Sequence, residues 1–248
     1  MKKNNIYLAT KLFSFYDRYA STNMYDAILK SKKYKDENIY LPFRDSNMKV
    51  GNIGNVSKNI FDADINSLKN TDVFICRIDG LSFDAGIGFE LGYCLGKECL
   101  LYVFSTDFIR AKIFERKFII TNIVDRIANS FYYEYKNRYT LSYEDNLKEN
   151  INEFTKFEKD ISALDNCRIY LTCFDENEPD FDSCVLQGYA YYKNKYIIGY
   201  ESNNITYFVE GGQTMGVNLM LEQPCNIILK SYTKIVNKIM ELKNEKEK

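Results

Sequence analysis

The stretch DAGIGFELGYC at residues 84–94 decides the fold. It follows an apolar run at residues 73–78 that predicts a buried strand, and it opens a predicted helix. In an open α/β sheet, a junction of this kind lies at the carboxyl end of the strands, where ligands bind. Gly86 and Gly88 are expected to let backbone approach a ligand closely, and Gly92 to let the helix pack tightly on the sheet.

The same alternation of strands and helices extends to both sides of this junction. Continuous apolar strands are typical of a parallel sheet that helices cover on both faces. The sequence therefore predicts an α/β protein with a mostly parallel open sheet and flanking helices, Rossmann-like or flavodoxin-like. The further predicted strands lie at residues 6–10, 39–41 and 100–104, and the further helices at residues 17–32 and 59–70.

The second half of the chain repeats the first at an offset of 96 residues. Nine of the 34 positions in the window 64–97 are identical to the positions 96 residues later, where chance would give about two. We interpret this as a tandem, degenerate duplication, with one module at residues 1–138 and a truncated copy at residues 139–248. The second copy lacks a counterpart of the first strand–helix–strand portion, and residues 139–158 are predicted to form a connecting helical segment. The alternative is a coincidental regularity of α/β structure.

Composition excludes several classes of function. The net charge of −1 is spread along the chain, so we expect no nucleic-acid partner, and no window reaches the roughly 18 to 20 apolar residues that a membrane span needs. The chain has no histidine, which removes Ser-His, Cys-His and His-metal mechanisms. Seven cysteines without a C-x-x-C pair are typical of reduced thiols in a cytoplasmic protein.

Glu90 is the candidate nucleophile of the 84–94 stretch. It lies in the first turns of the predicted helix, where the helix dipole favours an ionised carboxylate. An ionised and well-positioned glutamate can attack an anomeric carbon and form a covalent glycosyl-enzyme. From the residues alone, a solvated acid behind a glycine-rich loop remains the alternative.

Several motifs together resemble the nucleoside 2-deoxyribosyltransferases in order and spacing. The resemblance covers about residues 6–104 and in part the later half. Its most specific part is the pattern D-x-G-x-x-x-E-x-G-Y, with Asp64 twenty residues earlier. The motifs are Ile6-Tyr7-Leu8-Ala9, Phe13-Ser14, Asp17-Arg18, Leu41-Pro42, Asp64 with Ile65 and Leu68, Asp72-Val73, and Asp84 to Tyr93.

The resemblance implies catalytic roles for three residues. Glu90 takes the deoxyribosyl group as the nucleophile, Asp64 protonates the departing base, and Tyr7 orients the nucleophile by a hydrogen bond. The structural alternatives are a core tyrosine at Tyr7 and a helix-surface acid at Asp64. Carboxylates that converge on one cleft repel one another, which raises the pKa of at least one of them. A raised pKa is what a carboxyl group needs if it is to act as an acid beside a nucleophile.

The resemblance also implies a set of substrate-binding residues. Asp84 binds the 5′-hydroxyl side of the sugar and the base, and Gly86 and Phe13 belong to the same site. Family members also bring an asparagine in an Asn-Leu-Met context from a neighbouring subunit, and Asn218 matches that element better than Asn122 does. A helix-capping role for Asn218 is the alternative.

The second copy departs from the family pattern. The position of Glu90 is occupied by Leu186 and that of Gly86 by Asp182, and Gln187 is one place away from the nucleophile position. We therefore expect this copy to be chemically inactive. Its expected use is to supply, within one chain, the partner surface that relatives obtain from a second subunit, together with Asn218.

The resemblance thus implies transfer of a 2-deoxyribosyl group between nucleobases through a covalent Glu90 intermediate, with no metal and no organic cofactor. The expected partners are a small-molecule nucleoside or nucleotide and a free nucleobase, and a homo-oligomer is compatible with this interpretation. A basic cluster would favour nucleotides, for which Arg18, Arg44 and Arg110 are available. The alternatives are hydrolysis of the N-glycosidic bond, with water as the acceptor, and a sensor that binds a nucleotide derivative without turnover.

Overall fold

The protein is described by a computed structural model. The structure describes residues 4–30, 37–46, 56–79, 84–105, 126–129, 151–175, 181–202, 207–209, 213–215 and 217–244. Within these ranges it describes the backbone alone for residues 56, 104–105, 126–129, 151–158, 207–209 and 213–215.

The first half forms a parallel five-stranded sheet with the strand order β2-β1-β3-β4-β5. The predicted strands are all present, and β5 was not predicted. The strands are β1 (Asn5–Ala9), β2 (Asn38–Tyr40), β3 (Val73–Arg77), β4 (Leu100–Ser105) and β5 (Arg126–Asn129). The prediction of an α/β protein with a mostly parallel open sheet is confirmed.

Four helices accompany this sheet: α1 (Phe15–Lys30), α2 (Pro42–Asp45), α3 (Val56–Asn70) and α4 (Ala85–Gly96). Pro42 follows β2 directly and stands at the start of α2, where its fixed φ and missing N–H are tolerated. Asp84 is the N-cap of α4, since its side chain accepts a hydrogen bond from the backbone N–H of Ile87. The loop of the 84–94 stretch is therefore short, and α4 begins five residues before Glu90.

The second half contains a smaller parallel sheet with the order β10-β7-β6 and a separate antiparallel pair, β8 and β9. Its helices are α5 (Ile151–Asn166), α6 (Phe181–Tyr192), α7 (Leu219–Glu222) and α8 (Tyr232–Asn244). Its strands are β6 (Ile169–Cys173), β7 (Tyr196–Tyr200), β8 (Tyr207–Val209), β9 (Gln213–Met215) and β10 (Ile227–Leu229). The predicted connecting segment at 139–158 is helical from residue 151, and residues 139–150 lie outside the described residues.

The offset of 96 residues reappears in the structure. Added to the bounds of β3 and α4, it gives the bounds of β6 and α6 residue for residue. The turn after each of these helices contains one residue with positive φ, Glu98 at 62° and Asn194 at 54°, again 96 positions apart. Among the described strands of the second sheet, none takes the place that β1 has beside β3. A duplication would explain this correspondence, and the truncated second copy stays a prediction.

The two halves pack through α4 and α6 at a reciprocal pair of glycines. A Cβ on Gly92 would lie 1.8 Å from the carbonyl oxygen of Val185, and a Cβ on Gly188 would lie 1.9 Å from that of Phe89. Both pairs are related by the same 96 positions, so each side makes the contact that the other side makes. This is the pattern of a self-complementary interface around a two-fold axis. It relates two segments of one chain.

This packing corrects two expectations about the glycines. Gly92 packs against α6 and not against its own sheet, because the α6 backbone occupies the space that a side chain would need. Gly88 was expected to let backbone approach a ligand, but a Cβ there would lie 2.8 Å from Cβ of Cys184, on α6. Both glycines therefore serve the contact between the halves. The hydrophobic core is continuous across it, with Phe89 and Val185 fully buried in one cluster.

Candidate active site

Tyr7 and Tyr40 place two phenol groups side by side in the first half. They occupy paired positions on the neighbouring parallel strands β1 and β2, so their side chains point to the same face of the sheet. Their ring centroids are 5.3 Å apart, and the Tyr7 ring also stacks on Phe74 of β3 at 5.7 Å. Tyr7 is fully buried, whereas Tyr40 is half-buried.

Each phenol donates a hydrogen bond to a different buried carboxyl group. The Tyr7 hydroxyl donates to Oε1 of Glu90 at 2.7 Å, and the Tyr40 hydroxyl donates to Oδ1 of Asp64 at 2.7 Å. Glu90 is only 6% exposed and Asp64 only 3%. The alternatives of a solvated acid at Glu90 and a surface acid at Asp64 are therefore wrong. Strands β1 and β2 and helices α3 and α4 bring these four side chains into one buried cluster, here called the carboxyl–tyrosine cluster.

Burial dominates the electrostatics of this cluster. It raises the pKa of Glu90 well above its usual range, the charge of Asp64 raises it further, and the hydrogen bond from Tyr7 opposes both. Burial also raises the pKa of Asp64 to about 7, against the opposing hydrogen bond from Tyr40. Two acids that are buried close together cannot both ionise easily. At neutral pH the pair therefore retains protons that solvated carboxylates would lose.

This result corrects the expectation that the helix dipole favours an ionised Glu90. Glu90 is the sixth residue of α4 and lies beyond its first turn, and the dipole effect falls off within that turn. The side chain that meets the helix N-terminus is Asp84, whose Oδ1 accepts from the N–H of Ile87 at 3.1 Å. Burial nevertheless raises the pKa of Asp84 as well, against hydrogen bonds from the Ile87 and Gly86 backbone.

Asp84, Gly86 and Asn218 meet at the start of α4. A Cβ on Gly86 would lie 3.0 Å from Oδ1 of Asp84 and 3.4 Å from Nδ2 of Asn218. Asn218 belongs to the second half, so the same chain brings its amide to this site. Oδ1 of Asn218 also accepts from the N–H of Met220 at 2.9 Å and caps α7. The capping role is thus real, and it leaves Nδ2 without a hydrogen bond to any of the described residues.

Phe13 lies apart from the buried cluster. It follows β1, at the carboxyl edge of the sheet, and its side chain is 70% exposed. Asn122, the weaker candidate for the asparagine role, lies outside the described residues.

Two of the three arginines that could bind a nucleotide phosphate are bonded to other groups of the chain. Arg18 donates to the carbonyl oxygen of Leu12 at 3.1 Å, and Arg44 pairs with Asp45 at 2.6 Å. Arg110 is outside the part of the chain that the structure describes. Neither of these two arginines is hydrogen-bonded to a side chain of the carboxyl–tyrosine cluster; Arg44 also donates to the carbonyl oxygen of Ile39, at 3.3 Å.

Two features of the site were missed in the sequence. One is Tyr40, for which the available signal was its position in a predicted strand directly before Leu41-Pro42. The other is Arg77, buried at the carboxyl end of β3, with Nη2 3.4 Å from Asp17 and Nε 3.6 Å from Asp79. A charged residue that ends an otherwise apolar strand was the signal for Arg77.

The second half has no carboxylate at the position of Glu90, which is Leu186. The adjacent Gln187 is fully buried, and its Nε2 donates to the carbonyl oxygen of Leu221 at 2.7 Å. Across the described ranges, no group of three or more His, Cys, Asp or Glu side chains is arranged to hold a metal ion. Nor does any helix in those ranges combine the length and apolar character needed to cross a membrane.

Comparison with known proteins shows a family model that matches most of the first half. Residues 6–122 match the family model of nucleoside 2-deoxyribosyltransferases. A similar solved structure, described as a conserved protein from Enterococcus faecalis V583, is 22% identical, with 62% of this chain and 99% of that chain covered and a TM-score of 0.39. No protein with a curated description matches the chain. The matched residues include both tyrosines and both acids of the carboxyl–tyrosine cluster, so the part of the chain that carries them is similar to the nucleoside 2-deoxyribosyltransferase family.

Proposed function

We propose that this protein transfers a 2-deoxyribosyl group from one nucleobase to another through a covalent bond between the sugar and Glu90. The observation that carries the proposal is the 2.7 Å hydrogen bond from the Tyr7 hydroxyl to Oε1 of Glu90, beside a second buried carboxyl group at Asp64. A nucleophile and an acid within one buried cluster are the two groups that cleavage of an N-glycosidic bond requires.

In the first half-reaction, Glu90 attacks the anomeric carbon as the bond from that carbon to the base nitrogen breaks. The bonding electron pair leaves with the base, and Asp64 donates its proton to the base. The raised pKa of Asp64, about 7, supports a protonated acid at neutral pH. The hydrogen bond from Tyr7 stabilises the ionised form of Glu90 and opposes the effect of burial. In the proposed reactive form, the pair carries one proton on Asp64, and Glu90 is ionised.

In the second half-reaction, a nitrogen of the incoming base attacks the anomeric carbon and displaces Glu90. The proton of that nitrogen returns to Asp64, so the enzyme ends in its starting state. No metal ion or organic cofactor takes part in this scheme. Double displacement of this kind retains the configuration at the anomeric carbon.

Four further residues are proposed to hold the substrate. Asp84, Gly86 and Asn218 meet at the start of α4, where a sugar hydroxyl would find a carboxylate and an amide. The exposed Phe13 offers a flat apolar ring at the same edge of the sheet, suited to a nucleobase.

We assign the catalytic module to residues 1–138 and an inactive second copy to residues 139–248. The reciprocal contact of Gly92 and Gly188 supports a common origin of the two modules, and Leu186 at the nucleophile position supports inactivity of the second. In this arrangement the second copy supplies Asn218 to the single active site of the chain. Exchange of bases on an intact deoxyribose is salvage chemistry, and we place it in the cytoplasm.

The deciding experiment is incubation of the protein with a deoxynucleoside, with and without a second free base, followed by chromatography of the products. Transferase activity produces the new deoxynucleoside only when the second base is present. Free deoxyribose in both incubations would instead identify a hydrolase. Binding of the deoxynucleoside without any product would identify a sensor and overturn the proposal.

Mass spectrometry of the intact protein after mixing with deoxynucleoside alone tests the intermediate. The proposal predicts an added deoxyribosyl group on the wild-type chain and none on Glu90→Gln. The matched control is Glu98→Gln, an exposed glutamate just beyond the other end of α4, which should form the adduct normally.

A further inference from the structure

We propose that Tyr40 is a positioning residue, which holds the Asp64 carboxyl group in the orientation from which it donates a proton to the departing base. The inference rests on the proposed function, and it adds to that function a residue outside the motifs from which the family was recognised. Tyr40 acts through Asp64 and need not contact the substrate.

The geometry gives each carboxyl group its own phenol. Tyr7 and Tyr40 stand at paired positions of β1 and β2 with rings 5.3 Å apart, yet their hydroxyls donate to Glu90 and Asp64 respectively. The strand register therefore separates the support of the nucleophile from the support of the acid. A side chain on one strand could not serve both groups with two short hydrogen bonds, since a phenol has one proton to donate.

The hydrogen bond from Tyr40 fixes which oxygen of Asp64 carries the proton. Oδ1 accepts from the phenol at 2.7 Å, and Oδ2 has no hydrogen bond to any residue within the described ranges. An acid that must protonate a base nitrogen needs one oxygen held and the other available. Loss of this restraint leaves Asp64 free to rotate, and misorientation of a catalytic group costs rate even when the group is retained.

Tyr40 is chemically suited to this task. Burial raises its pKa far above neutrality, and the neighbouring Asp64 adds to the effect, so the phenol stays a neutral donor throughout the working range. Its hydrogen bond also opposes the rise in the pKa of Asp64 that burial causes. An acid works best when its pKa lies near the operating pH. Tyr40 therefore keeps Asp64 from becoming too weak an acid.

Charged and titratable groups face Tyr40 and Asp64 from three neighbouring elements. Glu90 faces Asp64 from α4, and Tyr7 faces it from β1, and beyond Tyr40 lies Asp45 of α2. Since the charge of Asp64 raises the pKa of Glu90, we expect the alkaline limb of the pH–rate profile to report the pair. A change at Tyr40 is distinguishable because only Asp64 receives its hydrogen bond.

The test is Tyr40→Phe, which removes the hydroxyl and keeps the ring. Asp64 must be protonated to act, so activity falls as the pH rises through the pKa of the pair. Without the hydrogen bond that pKa rises, and we expect the alkaline limb to move to higher pH by about half a unit or more. We also expect kcat at neutral pH to fall by about tenfold or more for bases that are poor leaving groups, with KM changed less than about twofold.

The matched control is Tyr189→Phe. The Tyr189 hydroxyl donates to Oδ1 of Asp165 at 2.9 Å in the second half, so the same group is removed from the same kind of hydrogen bond away from the site. This variant should keep the wild-type pH profile. A uniform loss of rate in Tyr40→Phe with the alkaline limb unmoved would overturn the proposal and leave Tyr40 as a packing residue.

Two further measurements protect the interpretation. If Tyr40 acts through Asp64, Tyr40→Phe should change the rate by less than about twofold in the background of Asp64→Asn; an undiminished effect there contradicts the proposal. Direct titration of the Asp64 carboxyl carbon by NMR needs no turnover. If the pKa of Asp64 is raised in Tyr40→Phe but the wild-type protein is inactive, the proposed reaction is wrong and the hydrogen bond from Tyr40 is not. If the pKa of Asp64 is unchanged in Tyr40→Phe, the proposed role of Tyr40 is wrong.

Discussion

Glu90 carries the covalent chemistry of the proposal, and Glu90→Gln tests it at the scale of one residue. Gln has the same shape and keeps an oxygen for the Tyr7 hydroxyl, but it cannot form the glycosyl ester. Turnover should fall by several orders of magnitude, each factor of ten corresponding to about 1.4 kcal/mol of barrier. The measurement is the single-turnover rate of base release; retention of more than about a tenth of the wild-type rate would remove Glu90 from this role.

Asp64 also imposes a cost on stability that depends on pH. Its pKa is about 7 in the folded chain and about 4 in an unfolded one. Folding therefore takes up a proton between these values, and the contribution of Asp64 to stability is complete below about pH 4 and is lost as the pH rises to about 7. Asp64→Asn removes this titration and keeps an oxygen for the Tyr40 hydroxyl.

The difference in the free energy of unfolding between Asp64→Asn and wild type should thus be larger at about pH 8 than at about pH 5, by on the order of 2 kcal/mol in favour of the variant. Urea unfolding at the two pH values measures the gain. Asp62→Asn, at an exposed position of the same helix, should show the same difference from wild type at both. An equal difference for Asp64→Asn at the two values would mean that Asp64 is ionised in the folded protein.

At the scale of elements, the crossing of α4 and α6 makes the strongest demand on the sequence. Gly188→Ala should gain roughly 1 kcal/mol of helix propensity, yet its Cβ would lie 1.9 Å from the carbonyl oxygen of Phe89. The two backbones must move apart, and the net loss of stability should be about 2 to 4 kcal/mol. Urea midpoints measure this loss.

Ser162→Ala, at an exposed position of α5, provides a comparison for Gly188→Ala with a gain in propensity and no backbone overlap. It should be neutral or slightly stabilising. If Gly188→Ala behaved in the same way, α4 and α6 would not be in close backbone contact in solution.

The elements themselves could be predicted from the sequence because their signals are local. The apolar run at 73–78 and the helix that follows it were recognisable from periodicity alone, and so was the offset of 96 residues. The Tyr40–Asp64 hydrogen bond could not be predicted, because it depends on β2 lying beside β1, and strand order is not encoded in spacing. The same reason explains Gly88 and Gly92, whose partner is a helix almost a hundred residues away.

At the scale of the whole molecule, the proposal places one active site in each chain and takes Asn218 from its second half. Asn218→Ser tests this contact, because serine keeps the helix cap and removes the amide. KM should rise about fivefold to tenfold, the value of one lost hydrogen bond, with little change in stability. Asn166→Ser, at an exposed position of α5, should leave KM unchanged.

The same arrangement predicts that activity per chain is independent of protein concentration. Both sides of the α4–α6 contact are joined covalently, so dilution cannot separate them. Initial rates measured over about a thousandfold range of concentration should give one value of kcat/KM. A decline on dilution would show that another chain completes the site, with Asn122 as the residue to test next.

The reciprocal glycines have a consequence for how this chain can evolve. In a homodimer, one altered codon changes both sides of a self-complementary interface, so any harm is doubled and neither side can compensate for the other. Here Gly92 and Gly188 are encoded by separate codons, and each half accepts or rejects mutations alone. Selection must keep both glycines, but under the proposed function it must keep the acids Asp64 and Glu90 in the first half only. Under the proposed function, the half that carries Leu186 can change at positions other than Gly188 and Asn218, while the first half keeps the chemistry.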